Sequence, residues 1–316
     1  MVEYVLRGVN MLVYTKLSKH PRVFQRMTGL TVEEFNDLLD KFNSGWIQFV
    51  NSKFLSKERK RRFGGGRHTR LLTLEDKLLF ILVYVRIYPV MVVQGILFGF
   101  EDSRACVWVN RLLPVLDKTL GFVHTRPIRG RGRSLEEILE EFPELKQFGI
   151  SLDGTERPKR RPKNKTQQQS EYSGKKKRHT KKNVVIVHPV NRTVIYLSHT
   201  RDGTVHDKKI LDEEQLTCNN PTIQGITDTG FIGLKVGCAK FILPKKNTKL
   251  HKLSNSDKEQ NRAISSVRVV VEHALAGVKI SRSVSDTYRN LTKEYEDLLM
   301  SVACGLHNFR VIHRQN

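Results

Sequence analysis

Cysteine is scarce in this chain. Its 316 residues hold four, Cys106, Cys218, Cys238 and Cys304, with no CxxC or CxxxC spacing. That argues against a zinc site and against a secreted disulfide framework, and makes a reducing cytosol the simplest compartment. Aromatic residues are only 8%, and no aromatic-bearing strand of the single-strand RNA-binding kind is present. Long apolar runs are missing too. The longest candidate, Leu78–Phe100, is interrupted by Arg86, Pro89 and Gln94, whereas a spanning helix needs ~20 mostly apolar residues. It predicts two buried helices joined at Tyr88-Pro89 and no membrane association. The first 20 residues mix Glu3, Arg7, Lys16 and Lys19 with apolar positions, which predicts no secretory leader.

Acidic residues are the remaining shortage. Asp+Glu number 32 against 55 Lys+Arg, a net charge of +23. The excess is local. Asn51–Arg70 has eight Lys/Arg against one Glu, Thr125–Ser134 has four Arg and no acid, and Arg157–Lys182 has twelve Lys/Arg against one Glu. These three strips carry +22 of the +23. Excess charge gathered in loop-like strips points to a polyanion partner rather than to solubility. With 39% hydrophobic and 28% charged residues the composition is globular, and the length suits about two domains of ~100–200 residues each.

The spacing predicts a helix over 22–45, opened by a Thr31/Glu34 capping box, with Phe35, Leu38, Leu39 and Phe42 on its apolar stripe. Gly64-Gly65-Gly66 predicts a hinge. A second capping box, Thr73/Asp76, opens a helix to about Tyr88; a short helix spans about 90–98, and a third spans about 101–113 after the Phe98-Gly99-Phe100 turn. In the third, Ala105, Trp108, Val109 and Leu112 fall on one face, leaving Ser103, Arg104, Val107, Asn110 and Arg111 toward solvent. That is the layout of a helix-turn-helix. Residues 123–147, an Arg/Gly strip followed by an acidic helix from Ser134, are expected to form a linker. The expected organisation is a helical and basic segment over 1–70, a helix-turn-helix domain over 71–122, the linker, and an α/β domain over 148–316.

The pattern changes after Phe148. Five strands are predicted, at about 149–153, 183–188, 193–198, 222–227 and 240–243, with helices at about 207–216, 258–280 and 292–313, giving a mixed α/β sheet covered on both faces. Asp153 and Asp228 each end an apolar strand and precede a Gly-containing turn, where ligands of α/β sheets gather. Glu272 lies in a helix, with Arg268 and Lys279 on roughly its own face. Two strand-end Asp and a helix Glu suit a site for phosphoryl transfer with two hard divalent ions. Asp207, opening a helix after His206, competes for the second carboxylate and is also a plausible helix cap. No His pairs with an elbow Ser or Cys, which argues against nucleophilic hydrolysis.

Taken together, Leu152-Asp153-Gly154-Thr155-Glu156, the Tyr172–Thr180 segment, Gly203-Thr-Val-His-Asp207, Asp228-Thr-Gly-Phe231 and the Arg268-x3-Glu272-x6-Lys279 signature resemble the DDE-type transposases of bacterial insertion sequences, the insertion sequence five group of the DDE superfamily endonucleases. The resemblance covers about 151–282, and the helical segment at about 72–118 resembles that group's N-terminal domain. It implies a ribonuclease-H-like catalytic domain of a mixed five-stranded sheet with flanking helices, preceded by an all-α helix-turn-helix domain. It implies Asp153, Asp228 and Glu272 as a catalytic triad holding two Mg2+ or Mn2+ ions, Asp153 shared between both. Arg268 and Lys279 would contact the element end. Lys175, Lys176, Lys177 and Arg178 are expected on the DNA backbone, and Arg104, Asn110 and Arg111 on base edges. The implied partners are double-stranded DNA, as element end and as target, and further copies of the chain in a homo-oligomer on DNA. No small-molecule substrate is expected, and the expected location is the cytoplasm, with the nucleoid. One departure is Ser265, where the group carries tyrosine three positions before the arginine. The alternative function is a non-catalytic, sequence-specific DNA-binding protein; the presence of all three carboxylates favours the enzyme.

Overall fold

The structure is a computed structural model that describes residues 11–55, 69–142, 149–245, 247, 252–290, 292 and 294–315. Most of the first basic strip, with the expected Gly64–Gly66 hinge, lies outside the described residues, as do residues 143–148 of the expected linker. Two compact units are present.

The first unit is helical: α1 (Tyr14–Leu17), α2 (Pro21–Thr28), α3 (Val32–Val50), α4 (Leu74–Ile87), α5 (Met91–Phe98) and α6 (Asp102–Phe122), joined by Ile280–Val284 and Leu298–His313. The single helix expected over 22–45 is two, because Gly29 closes α2 at φ +83, a conformation glycine adopts without steric cost. Thr31 and Glu34 form the reciprocal cap of α3. Tyr88 ends α4 and Gly99 ends α5, both left-handed. A Cβ at Gly95 would meet Phe100 O at 2.6 Å, so only glycine lets α5 approach the following turn. α6 runs nine residues past the expected end, straight through Pro114. An interior proline costs ~3 kcal/mol or more, but Leu112, Leu113, Val115, Leu116 and Leu120 around it are buried, each contributing ~1.5–3 kcal/mol. The last helical stretch completes this core: Leu299, Met300, Val302, Ala303, Leu306 and Phe309 are buried, Asn308 donates to Thr125 O at 2.8 Å, and Ser301 donates to Asp117 at 2.6 Å.

The second unit is a mixed sheet with flanking helices: α7 (Leu135–Glu141), β1 (Ile150–Pro158), α8 (Lys165–Glu171), β2 (Tyr172–Ser173), β3 (Arg178–Val187), β4 (Val194–Leu197), β5 (Arg201–Asp202), α9 (Asp207–Glu214), β6 (Gln224–Ile226), β7 (Lys240–Ile242) and α10 (Asn255–Lys279). Beyond it come α11 (Arg282–Ser285) and α12 (Tyr295–Gln315). The sheet order is β2-β3-β1-β6-β7, with β4 and β5 also paired to β3. β1, β3 and β4 are successive antiparallel neighbours, whereas β6 and β7 lie parallel to β1 and to each other. This is the ribonuclease-H-like mixed sheet. It has seven strands rather than five: the five expected ones are present, and the short β2 and β5 are added. The segment expected as a linker is built in. Ile128 bridges Tyr196, and Leu135, Ile138 and Leu139 of α7 enter the core with Leu152, Ile186, Ile195, Ile210, Leu211 and Phe231.

Candidate catalytic site and nucleic-acid interface

β1 and β6 set the centre of the site. Ser151 pairs with Ile226 in parallel register. Asp153 lies two residues further along β1 and Asp228 two residues past the Ile226 end of β6, and the charge of Asp228 is felt by Asp153. Asp153 is not at a strand end, as its Gly turn suggested. β1 continues through Gly154 to Pro158, pairing with β3 throughout, Asp153 opposite Val185. Asp228 does leave its strand: it caps the 3-10 turn Thr229–Phe231, accepting from the Thr229 N–H.

α10 packs across β1 and β6. Arg268 places its guanidinium 3.6 Å from Asp228. Lys279, eleven residues on, returns to nearly the same helical azimuth and acts electrostatically on Asp153 and Glu156. Its own pKa is lowered, by desolvation and by the neighbouring Lys176. Glu272 lies one turn after Arg268 on that stripe and is solvent-exposed; Ser265, one turn before, is exposed too. Burial pushes the Asp153 carboxyl up to about 6, against the Gly154 N–H and Arg268, which favour its ionised form; Asp228 and Asp207 raise it further. The site therefore holds a buried carboxyl whose ionised form is favoured by added positive charge. Its donors are carboxylate oxygens, the chemistry of a hard divalent ion. Among the described residues no three acidic, His or Cys side chains converge closely enough to cage an ion. Mg2+ needs no such cage: it keeps several waters and takes one or two carboxylates together with substrate phosphates.

Asp207 is the first residue of α9, and His206 is the cap position, so Asp207 is not a helix cap. It reaches the same region as Asp153 and Asp228. Lys182 pairs with it at 3.6 Å and with Glu156 at 3.2 Å. In the sequence, Asp207 stands out as a competing carboxylate by its place after His206 in the Gly203–Asp207 motif.

The third basic strip splits into two populations. Arg157 is buried and donates to Asn183 at 2.8 Å and Thr200 at 2.9 Å. Lys159, Lys181 and Lys182 are consumed by Glu171, Asp202, Glu156 and Asp207. Lys175, Lys176, Lys177 and Arg178 instead form the exposed tip between β2 and β3, with Lys177 at φ +53. Lys176 is the member of that tip whose charge is felt by Lys279.

In the helical unit α6 buries Ala105, Trp108, Val109 and Leu112 as expected and exposes Arg104 and Asn110. Arg111 differs. It is half-buried, its guanidinium lying 5.4 Å from the Phe54 ring and 5.6 Å from the Trp108 ring. No helix among the described residues is long and apolar enough to cross a membrane.

Residues 152–308 match the family model described as DDE superfamily endonuclease, and residues 69–122 match the helix-turn-helix of the same superfamily. The chain is also similar to a probable transposase for insertion sequence element IS702 of Microchaete diplosiphon. The two are 27% identical over 290 residues, spanning 92% of this chain and 95% of the relative.

Proposed function

The chain belongs to the DDE superfamily endonucleases, and from that premise we propose that it cuts DNA at the ends of an insertion sequence and joins those ends to a target. The observation that carries this reading is the placement of Asp153 on β1 and of Asp228 just past the end of the adjoining parallel strand β6, with Arg268 3.6 Å from Asp228. Asp153, Asp228 and Glu272 would hold two Mg2+ or Mn2+ ions, whose chemistry is to activate the attacking oxygen and neutralise the leaving one. Asp153 and Asp228 would hold those ions beside the reacting phosphodiester. Glu272 closes the group from the α10 side when the DNA end is seated. Arg268 and Lys279 draw in the phosphates on either side, and the Lys175–Arg178 tip follows the backbone without regard to sequence. Arg104 and Asn110 on α6 read base edges. Copies of the chain assemble on paired ends, and the protein works at the nucleoid.

The test is cleavage of a labelled duplex bearing the inverted repeat that flanks the gene, with and without Mg2+. Asp153→Asn, Asp228→Asn and Glu272→Gln are each expected to bind the duplex and leave it uncut. A variant that cuts at the wild-type rate removes that residue from the triad. If all variants bind and the wild type never cuts, the protein is a DNA-binding regulator.

A further inference from the structure

Gly154 lies in the interior of β1, paired with Val184, where a glycine weakens a strand and asks for a reason. The reason is Asp207. A Cβ built on Gly154 would stand 2.7 Å from the Asp207 Cγ, 2.8 Å from its Oδ2 and 2.9 Å from its Oδ1, closer than such atoms come. A Cβ on Gly230 would stand 3.2 Å from the same Oδ2. Gly154 directly follows Asp153, and Gly230 comes just after Asp228 and Thr229. The Asp207 carboxylate thus touches the backbone beside both acids, on β1 and in the 3-10 turn.

It is held there. Lys182, on β3 opposite Glu156, lies 3.6 Å from Asp207 and 3.2 Å from Glu156. It also donates to Val205 O at 3.1 Å, two residues before Asp207. One ammonium therefore ties the start of α9 to the sheet. The helix N-terminus favours a carboxylate at that position as well. Asp207 is half-buried, its side chain 27% exposed, too deep to be a solvated surface group.

We propose that Asp207 is a positioning residue: its carboxylate, clamped by Lys182 and seated against Gly154 and Gly230, sets the separation of Asp153 from Asp228. The proposal rests on the reading of those two residues as the catalytic pair. It also accounts for Gly154, which makes room for a carboxylate and not for a turn.

Two measurements test it. The first is thermal unfolding of Gly154→Ala, Asp207→Ala and the double variant. Gly154→Ala alone is expected to lower Tm by several degrees. In the Asp207→Ala background the same change should cost less than half as much, because the clash is gone. Additive losses overturn the wedge. The second is Mn2+ binding by the full chain, followed by the electron paramagnetic resonance signal of free Mn2+. Asp207→Ala is expected to fold and to weaken binding at least tenfold, in the range seen when outer partners of metal ligands are removed, and Asp207→Asn is expected to recover part of it. Wild-type Mn2+ affinity in folded Asp207→Ala overturns the positioning role and leaves Asp207 as a packing group. The catalytic reading fails separately: Asp153→Asn would then bind Mn2+ as well as the wild type, whatever the unfolding coupling shows.

Discussion

Lys159 and Lys181 converge on one oxygen of Glu171, at 2.7 and 3.0 Å. They are spent inside the protein, so the cations of that strip left for a polyanion are the outward ones, foremost Lys175, Lys176, Lys177 and Arg178. Replacing those four with Ala should weaken binding to any DNA sequence about equally. The slope of log affinity against log salt should flatten by roughly 0.9 for each phosphate no longer neutralised. Salt titration of wild type and variant on two unrelated duplexes checks this; an unchanged slope would make the tip a solvated turn.

Asp153 carries a stability cost that depends on pH. Its folded pKa of about 6 lies above the ordinary value of 3.8, so its protonated form favours the fold. That contribution is fully present below pH ~4 and is lost as pH rises through ~6, on the order of 3 kcal/mol. In metal-free buffer at pH 7.5, Asp153→Asn should therefore be more stable than the wild type, while with Mg2+ added it should fail to cleave. Urea unfolding at pH 4.5 and 7.5 with chelator reads the difference; parallel pH dependence in the two proteins would remove the buried-charge account.

Glu272 is exposed, and exposed substitutions away from special features stay within about 0.5 kcal/mol. Glu272→Gln should leave Tm unchanged and lower the cleavage rate at least a hundredfold. Single-turnover kinetics beside a thermal melt separates the two effects. Retained cleavage would move the third carboxylate elsewhere.

On α6, Arg104→Ala with Asn110→Ala should lower the ratio of specific to non-specific affinity, each good base pairing being worth ~1–3 kcal/mol, with no loss of stability. Arg111→Ala should do the reverse. Its guanidinium lies over Phe54 and Trp108, and removing that packing costs about 1 kcal/mol. Competition binding at one salt concentration and a urea melt distinguish them.

The sequence was most readable where one local rule governs. The Thr31/Glu34 cap, the buried stripe of α6 and the apolar run of β3 all follow from spacing. It was least readable where distant partners decide. The end expected for α6 at about 113 fell short because only the burial around Pro114 shows what offsets that proline. Gly154 looked like a turn residue because nothing near it in sequence reveals Asp207, and Lys159 and Lys181 looked like DNA contacts because their acids lie elsewhere in the chain. Glu272 and Lys279 were visible as one helical stripe and as parts of the Arg268-x3-Glu272-x6-Lys279 signature, but what α10 packs against is set by the sheet.

The helical unit takes in Leu298–His313, so its core is shared by segments separated by the whole α/β sheet in chain order. A ribosome adding roughly 5–20 residues per second releases α1 to α6 on the order of 10–30 s before that last stretch. During this interval the apolar surface over Leu120 and Thr125 stays uncovered. The helical unit is thus finished last although it is translated first.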